Sequence, residues 1–532
     1  LKMADTQAKS RIVQFSSGKV QGRRFTFDGK AVDAFQGIPF AKPPVGELRF
    51  KKPEPPTQWE GVKEVTDFGP HSIQADVTVG SWKTAETSED CLVLNVFTPT
   101  WEPPPGGFPV MVYIHGGAFI MDGARTYGDR GKCEWLCTKD VVVVSSQYRL
   151  GYLGFWTTGD ESHCPDNLAF WDQTASLRWV QANIEAFGGN KNNVTIFGQS
   201  AGGASVDFLH LSPHSTNLFH KVIPIAGNAQ APWALREGMV RVCEKRAKKM
   251  GVEGWTDAAD LMRKLRELPA EKFGGNMFEM DVEHRWQVEV SPVINCEFLP
   301  GSIAELRAKA TPKPLMTGVG EHESLLFIMM ETTWSVEEIK DLVKHLPSGA
   351  SQEEKDAWIR RFIDLSMEND PKTVAKALSA MHSEFFLNAS TLSLAQETVK
   401  ANPDQPVYLY SFNYFNPDSY GPAKDLLPFL AATHCTELAY LFGKGIIEPF
   451  EFNENDRKMA DIFSRAYTNF AKYGDPNGTG GNGLPVHWDP VTRDHPERNL
   501  IFDLQPTQKE TFFDGNSAAL LAMQEKPKKS SL

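Results

Sequence analysis

The stretch at residues 194–203, VTIFGQSAGG, restricts the possible folds of this chain more than any other. Its apolar, β-branched start predicts a buried strand, and the G-x-S-x-G pattern around Ser200 is typical of a sharp turn from a strand into a helix. Such a turn strains the serine backbone and leaves no room for side chains at the flanking glycines. We therefore expect Ser200 to expose a nucleophilic hydroxyl at the start of a helix.

Short apolar runs recur along the chain and alternate with helical or loop sequence. The clearest are residues 91–97, 110–114, 140–145, 194–197 and 406–412, while residues 12–27 alternate in polarity like a β-hairpin. Strands that are apolar on both faces and separated by helices are typical of a mostly parallel sheet covered on both sides. We predict an α/β fold with a large, mostly parallel mixed sheet, whose antiparallel edge is formed by the amino-terminal strands.

Helical periodicity predicts the elements between and after these strands. Residues 169–187 predict a helix that ends at Gly188, and residues 456–473 predict another. Residues 240–268 and 335–381, rich in Lys, Glu, Leu and Ala, are expected to be helical insertions over a pocket. We predict one domain at residues 11–523, with flexible termini at residues 1–10 and 524–532.

The composition excludes several kinds of partner. With 55 Lys and Arg against 67 Asp and Glu, the formal net charge is -12, whereas nucleic acid and anionic membranes attract surplus positive charge. No run approaches the roughly 20 apolar residues of a membrane-spanning helix, and the first residues lack the apolar core of a signal peptide. Because the cysteines form no C-x-x-C pair, we predict buried thiols and no metal site.

A serine nucleophile needs a histidine to take its proton and a carboxylate to orient that histidine. In the fold that carries such a turn, the acid and then the histidine follow the serine in the chain. This order leaves five histidines, His345, His382, His434, His487 and His495. His434 is the strongest candidate because it lies on a loop that enters an amphipathic helix. Glu321 and Glu323 both follow a strand-like run, and their position does not choose between them.

Two glycines after an earlier strand supply the third requirement, N–H donors for the oxyanion of the tetrahedral intermediate. Gly116 and Gly117, in YIHGGAF at residues 113–119, lack side chains and so let a substrate oxygen approach their backbone. Ala201, directly after the serine, supplies a further N–H. The sequence thus predicts an oxyanion hole made of Gly116, Gly117 and Ala201.

Eight segments, in the same order, resemble the type-B carboxylesterase and cholinesterase family. They are GIPFAKPPVGELRF at 37–50, SEDCLVLNVFTP at 88–99, YIHGGAF at 113–119, YRLGYLGF at 148–155, residues 166–189, NVTIFGQSAGG at 193–203, THCTELAYLFG at 433–443 and AKYGDPN at 471–477. The resemblance implies the α/β-hydrolase fold and hydrolysis of carboxylic esters through an acyl-enzyme, without a metal or organic cofactor. Aligned on the family's motifs, it implies that Glu323 is the acid and His434 the base.

Departures from the family pattern indicate in which cellular compartment the protein resides. Secreted members bridge the cysteine that matches Cys91 to one upstream, where this chain has Ser72, and Val252 and Lys264 occupy the apparent positions of a second bridge. A chain without these disulfides suits a reducing compartment, so we predict a cytoplasmic enzyme whose three N-glycosylation sequons are unused. Removal of a leader would instead make it secreted, and the terminal Ser-Ser-Leu faintly resembles a peroxisomal signal.

The residues expected around the substrate argue against choline. Cholinesterases bind the cation with aromatic rings and a glutamate beside the nucleophile. This chain has Gln199 and Leu326 at such positions and carries Trp82 one residue out of register with the family's cation-binding tryptophan. The remaining pocket candidates, which suggest an apolar acyl group, are Trp233, Trp286, Val288 and Phe327.

These residues together predict a general carboxylesterase for small to medium apolar esters. Its partner is then a small-molecule ester, and a homodimer is compatible with the sequence. Two alternatives stay open. One is a cholinesterase or juvenile-hormone-type esterase, which shares the chemistry but not the substrate. The other is a relative that keeps this fold for binding without catalysis.

Overall fold

A computed structural model describes residues 8–74, 86–274, 287–328, 335–346, 349–363, 370–445 and 448–525. Its strands are β1 (Ala8–Phe15), β2 (Gly18–Phe27), β3 (Lys30–Pro39), β4 (Val62–Glu64), β5 (Val93–Pro99), β6 (Phe108–Ile114), β7 (Val142–Ser146), β8 (Gly189–Gln199), β9 (Lys221–Ile225), β10 (Leu315–Gly320), β11 (Val407–Phe412), β12 (Asn499–Phe502) and β13 (Thr507–Lys509). They form one sheet in the order β1-β2-β3-β5-β7-β6-β8-β9-β10-β11-β12-β13, with β4 paired to β2.

Helices lie around this sheet. They are α1 (Gly151–Phe155), α2 (Leu168–Asn183), α3 (Ala201–Leu211), α4 (Met239–Lys249), α5 (Ala258–Arg266), α6 (Ile303–Lys309), α7 (Leu325–Ile328), α8 (Val336–Lys344), α9 (Gln352–Ile359), α10 (Pro371–Ser383), α11 (Ala389–Ala401), α12 (Leu438–Phe442), α13 (Glu454–Tyr473) and α14 (Asn516–Gln524). None of the helices in the described ranges combines the length and the apolarity that crossing a membrane requires.

The sheet is mixed, with a parallel centre. From β7 through β6, β8, β9, β10 and β11 to β12, neighbouring strands pair in parallel. β1, β2, β3 and β5 form an antiparallel edge on the side of β7. Ile114 pairs with both Ser146 and Gly198, so β6, β7 and β8 end at the same edge of the sheet. The predicted mostly parallel mixed sheet and its antiparallel amino-terminal edge are confirmed.

Most predicted helices are also confirmed. α2 and the 3-10 turn Ile184–Phe187 cover the helix expected at residues 169–187, and Gly188 ends it with a φ of 86°. The insertion at residues 240–268 contains α4 and α5, and that at residues 335–381 contains α8, α9 and α10. The predicted termini need a correction at each end. Residues 8–10 belong to β1, where the buried Ser10 hydroxyl accepts a hydrogen bond from the Gly22 N–H. Gln524, also assigned to a terminus, closes α14.

Two buried ion pairs fix the segments that surround the parallel strands. The Arg307 guanidinium on α6 donates two hydrogen bonds, of 2.7 and 2.8 Å, to Asp207 on α3. Arg149, which follows β7, donates two of 2.7 Å to Asp172 on α2. Removing one partner of such a pair leaves an uncompensated buried charge, which costs several kcal/mol. The helix after β8 and the loop after β7 are therefore held firmly in place.

A buried carboxyl group joins the last helix to a second apolar core. This core unites α8, α9 and α10 with Leu520 and Met523 of α14. Glu384, in a π-helical turn after α10, accepts hydrogen bonds from the Ser517 hydroxyl at 2.5 Å and the Asn388 amide at 3.3 Å. Burial raises the pKa of Glu384 to about 7, although both hydrogen bonds oppose the shift. The folded protein thus keeps this proton at mildly acidic pH.

We expect Glu384→Gln to remove a pH-dependent loss of stability. The unfolded chain releases the Glu384 proton around pH 4.5, whereas the folded state holds it up to its pKa of about 7. The free energy of unfolding of the parent therefore falls as pH rises through this window, by about 3 kcal/mol in total. A glutamine has no proton to release. Urea unfolding near pH 5 and near pH 8 should show a smaller decrease for the variant than for the parent.

Glu337→Gln is the matched control, because this glutamate is exposed on α8 of the same core region. We expect its unfolding free energy to change with pH as that of the parent does. Equal pH dependence of the parent and Glu384→Gln would show that Glu384 is ionised in the folded state.

Candidate active site

Ser200 lies in the sharp turn between β8 and α3. Its φ of 60° and ψ of -126° fall outside the regions that non-glycine residues favour, which marks a strained backbone. A Cβ on Gly198 would lie 2.5 Å from the carbonyl oxygen of Gly202, and one on Gly202 would lie 2.2 Å from that of Ile114. The glycines on either side are thus required by packing, and the serine stays partly exposed at the first turn of α3.

Glu323 and His434 meet beside this turn in a buried pair. Nδ1 of His434 lies 2.5 Å from Oε2 of Glu323, while Oε1 accepts the Gly320 N–H. The backbone carbonyl of Glu323 accepts the Thr433 hydroxyl at 3.1 Å and the His434 N–H at 3.3 Å. Both side chains are almost fully buried. The carboxylate therefore orients the ring through Nδ1 and leaves Nε2 as the nitrogen that can accept a proton.

The hydrogen bonds and ion pairs distinguish between the candidate acids and histidines that the sequence left open. Within the described ranges, no hydrogen bond joins the Glu321 carboxyl to a histidine, although Glu321 lies only two residues before Glu323. His487 and His495 pair with the exposed acids Asp489 and Glu510 instead. Of the two glutamates, only Glu323 contacts His434.

Gln199 contacts the ring of His434 directly. Its amide nitrogen lies 3.3 Å from both ring nitrogens, and its carbonyl oxygen accepts the Cys435 thiol at 3.3 Å. An atom equally close to both nitrogens would collide with Cε1 if it lay in the ring plane, so the amide lies over the ring face. Gln199 is only 1% exposed. This predicted pocket residue therefore packs on the imidazole and adds little to an open pocket surface.

Within the described residues, the Ser200 hydroxyl and His434 are not hydrogen-bonded. Such bonds are often long in a hydrolase without substrate and tighten in the complex with it. The contact of Gln199, the residue before Ser200, with the His434 ring places the histidine close to the serine. The arrangement is thus suited to proton transfer once a substrate fills the site.

A second carboxyl group, Glu437, is fully buried near Glu323. Neither of its oxygens has a hydrogen-bond partner among the described residues. Burial, and then the negative charge of Glu323, raise the pKa of Glu437 well above its usual value. Both effects favour the protonated form of Glu437, whereas both oxygens of Glu323 accept N–H groups. One signal for this residue was overlooked, an acid directly before the apolar run Leu438–Phe442.

Free N–H groups cluster next to the serine. Among the described residues, the N–H groups of Gly116, Gly117, Ala118 and Ala201 have no hydrogen-bond partner. A Cβ on Gly116 would lie 2.6 Å from the Gln199 carbonyl oxygen and 3.1 Å from the Cβ of Ser200. The loop after β6 therefore touches the nucleophile turn. Sequence reasoning overlooked Ala118, whose φ of 52° becomes apparent only in the structure.

Aromatic side chains lie next to the loop after β6 and next to His434. The Trp233 ring lies 6.4 Å from that of Phe119, and its indole N–H donates to the Phe386 carbonyl. The Phe327 ring lies 5.2 Å from the ring of His434. Leu326 and Val288 are partly exposed, and the Leu326 N–H donates to the Thr433 hydroxyl. The predicted pocket residue Trp286, and Trp82, lie outside the described residues.

All seven cysteines are free and buried, which confirms the prediction of buried thiols. Ser72 lies within hydrogen-bonding reach of the Cys91 thiol, and its hydroxyl also accepts the Leu150 N–H at 3.0 Å. A serine thus takes the place beside Cys91 that a second cysteine would need. In the described ranges, Glu161, Asp166 and Cys296 place possible metal ligands within 4.8 Å of one another. The sequence did not indicate this group, because Cys296 lies 130 residues after Asp166 in the chain.

A strained serine in the turn after a central parallel strand, beside a Glu–His pair from turns later in the chain, is typical of an α/β-hydrolase. The chain belongs to the carboxylesterase family, whose family model matches residues 9–521. It is 38% identical to Esterase cest-33 of Caenorhabditis elegans, over 91% of this chain and 88% of that protein. It is 35% identical to the acylcarnitine hydrolase of Rattus norvegicus (94% and 89%) and 32% identical to carboxylesterase 3 of Pongo abelii (89% and 84%).

These similarities confirm three predictions made from the sequence. The family is that of the carboxylesterases, the fold is the α/β-hydrolase fold, and the enzyme class is carboxylic-ester hydrolase. The similarity extends over nearly the whole chain and includes both the nucleophile turn and the segment around His434.

Proposed function

We propose that Ser200, Glu323 and His434 are the catalytic triad of a carboxylesterase. The observation that carries this proposal is the buried 2.5 Å contact between Glu323 and Nδ1 of His434, next to a strained serine. His434 takes the proton of the Ser200 hydroxyl through Nε2 while the oxygen attacks the ester carbonyl. Glu323 stabilises the imidazolium that forms.

The reaction then proceeds through an acyl-enzyme. The tetrahedral intermediate collapses, the alcohol leaves with the proton held by His434, and the acyl group stays on Ser200. Water gives a proton to the same nitrogen and attacks the acyl carbonyl, and a second collapse releases the acid and restores the serine. The N–H groups of Gly116, Gly117 and Ala201 are the proposed donors to the oxyanion, and that of Ala118 adds a fourth candidate.

We infer that the substrates are neutral esters with small to medium apolar acyl groups. Phe327 is 37% exposed and its ring lies 5.2 Å from that of His434, which gives one side of the site an apolar surface. Gln199 carries no charge, and its buried amide contacts His434 instead of a ligand. Nothing at this position attracts a quaternary ammonium group, which supports a general carboxylesterase over a cholinesterase.

A reducing compartment, the cytoplasm, is the proposed location. The seven free thiols support it, because no pair of them is bridged. The sequons at Asn388 and Asn477 also support it. Asn388 is buried, and the Asn477 amide donates to Asp475 and to the Trp488 carbonyl. A glycan on either residue would require these contacts to break.

A substrate panel tests the proposal. We expect hydrolysis of p-nitrophenyl esters with acyl chains of two to about eight carbons, and a kcat/KM at least about tenfold lower for acetylthiocholine than for a neutral thioester of equal size. An acylcarnitine belongs in the panel because one relative carries that substrate class in its name. A preference for acetylthiocholine would overturn the neutral-ester proposal. Absence of both ester hydrolysis and fluorophosphonate labelling would favour a non-catalytic binding role.

A further inference from the structure

The orientation of a peptide N–H can be controlled from the opposite side of the same peptide bond. In a planar trans peptide, the carbonyl of one residue and the N–H of the next point in opposite directions. A donor that is hydrogen-bonded to the carbonyl oxygen therefore fixes the direction of the N–H on the opposite side of the peptide. The two hydrogen bonds of one peptide also polarise each other, so the bond to the carbonyl strengthens the bond that the N–H donates.

Two buried side chains occupy this position behind the proposed oxyanion donors. The Tyr148 hydroxyl donates to the carbonyl of His115 at 2.8 Å, and that carbonyl shares a peptide bond with the N–H of Gly116. Nδ1 of His115 lies 3.0 Å from the carbonyl of Gly116, which shares its peptide bond with the N–H of Gly117. The Tyr148 and His115 rings stack with centroids 4.3 Å apart and an interplanar angle of 20°.

Both side chains are donors in their neutral forms. Burial lowers the pKa of His115 to about 4, so the ring is neutral near pH 7, and its Nδ1 carries the proton because it faces a carbonyl oxygen. Burial raises the pKa of the Tyr148 hydroxyl well above 10. Nε2 of His115 has no partner among the described residues, so the bond from Nδ1 and the stacking fix the ring.

The segment after β7, residues 147–151, fixes the position of Tyr148 relative to the loop after β6. Gln147 accepts the Ala124 N–H at 3.0 Å, and the Gly151 N–H donates to the Phe119 carbonyl at 2.8 Å. Between them, Arg149 is anchored to Asp172. Tyr148 is thus held between two contacts with the loop that carries the N–H groups.

The other two candidate donors are aimed by backbone alone. The Gly117 carbonyl, behind the Ala118 N–H, accepts the N–H groups of Ile120 and Met121 at 3.0 Å each. The Ser200 carbonyl, behind the Ala201 N–H, accepts that of Ala204 at 2.9 Å. Only the N–H groups of Gly116 and Gly117 depend on side chains, which makes their orientation open to mutation.

We propose that Tyr148 and His115 are positioning residues that aim the Gly116 and Gly117 N–H groups at the oxyanion of the tetrahedral intermediate. The inference rests on the proposed function, since it assigns a role only if Ser200 forms an acyl-enzyme. Neither residue touches the substrate. Their contribution is greatest in the transition state, when the carbonyl oxygen becomes negative, so they should act on kcat more than on KM.

Tyr148→Phe tests the proposal by deleting one hydroxyl and keeping the ring stack. We expect kcat for p-nitrophenyl butyrate, per active site titrated with a fluorophosphonate, to fall about tenfold while KM stays within about twofold. A trifluoromethyl ketone forms an anionic tetrahedral adduct with the serine, so its Ki should rise about tenfold as well. Loss of folded protein would lower the number of active sites that the fluorophosphonate titrates and would leave kcat per site unchanged.

His115→Phe is an independent second variant, because it deletes the other hydrogen bond and leaves the Tyr148 hydroxyl in place. We expect the same pattern, a lower kcat per site and a weaker trifluoromethyl ketone. Tyr408→Phe is the matched control, since Tyr408 is also a buried tyrosine with a hydrogen-bond partner. Its partner is Asp475, and Tyr408 lies at the amino-terminal end of β11, opposite the edge of the sheet that carries the site. Its kinetic constants should match those of the parent.

The outcomes separate this inference from the proposed function. A parent protein that neither hydrolyses esters nor reacts with the fluorophosphonate would refute the proposed function itself. An active parent whose Tyr148→Phe and His115→Phe variants keep kcat per site and the inhibitor Ki within twofold would overturn the positioning role alone. A rise in KM with unchanged kcat would also overturn it, because it would indicate contact with the ground-state substrate.

Discussion

Ser200→Ala should lower kcat for p-nitrophenyl butyrate by at least about 10,000-fold. Without the hydroxyl, no acyl-enzyme forms, and hydrolysis depends on direct attack by water. The free N–H groups of Gly116, Gly117, Ala118 and Ala201 remain, so a residual rate above that of the uncatalysed reaction is expected. The substitution removes one partly exposed oxygen and relieves no buried charge, so the free energy of unfolding should change little.

Ester hydrolysis and labelling with a fluorophosphonate measure this effect together. Ser464→Ala is the control, because Ser464 is a buried serine on α13 whose hydroxyl donates to the Ala460 and Asp461 carbonyls of its own helix. We expect Ser464→Ala to be labelled and active like the parent, and Ser200→Ala to be neither. Normal labelling of Ser200→Ala would mean that another residue is the nucleophile, and the proposed triad would then be wrong.

The nucleophile turn could be predicted from the sequence because all of its determinants are local. The apolar strand and the G-x-S-x-G turn occupy residues 194–202, and helix-forming residues follow from Ala204 onward. The structure adds the reason for the glycines, which is the close approach of Ile114 and of the neighbouring backbone. The same locality explains why the main parallel strands were predicted, since each is a continuous apolar run.

The choice between Glu321 and Glu323 could not be made from the residues alone. Both follow β10, and their side chains differ only in the direction given by the turn at residues 321–324. That direction depends on hydrogen bonds to Thr433 and His434, more than 100 residues away in the chain. The resemblance to a family made the choice where periodicity could not, and the contacts agree with it.

Long-range packing also explains what sequence reasoning overlooked. The contact of Gln199 with His434 joins residues 235 positions apart, and that of Tyr148 with His115 joins the ends of two neighbouring strands. Residues 8–10 read as a polar terminus, but pairing with β2 makes them strand. In each case the sequence contains the right residue types, and only the fold determines which of them meet.

Glu323→Gln should lower kcat about 10,000-fold even though it changes few atoms. Both oxygens of Glu323 accept N–H groups, one from Gly320 and one from His434. A glutamine has a single oxygen, and the backbone N–H of Gly320 cannot reverse. The oxygen will therefore face Gly320 and the amide NH₂ will face Nδ1 of His434. Nδ1 must then accept a hydrogen bond, which moves the ring proton to Nε2, where it blocks proton transfer from Ser200.

Glu321→Gln is the closest available control, since it makes the same change two residues earlier on a carboxyl group that has no hydrogen bond to His434 among the described residues. We expect its kcat to stay within about threefold of the parent, because the tautomer of His434 is unaffected. Fluorophosphonate labelling should be slowed in Glu323→Gln and unchanged in Glu321→Gln, which separates loss of the base from loss of folded protein. A large loss in Glu321→Gln with full activity in Glu323→Gln would move the acid to Glu321. Full activity in both would show that His434 does not depend on either carboxylate, and the buried Glu437 would then be the next acid to replace.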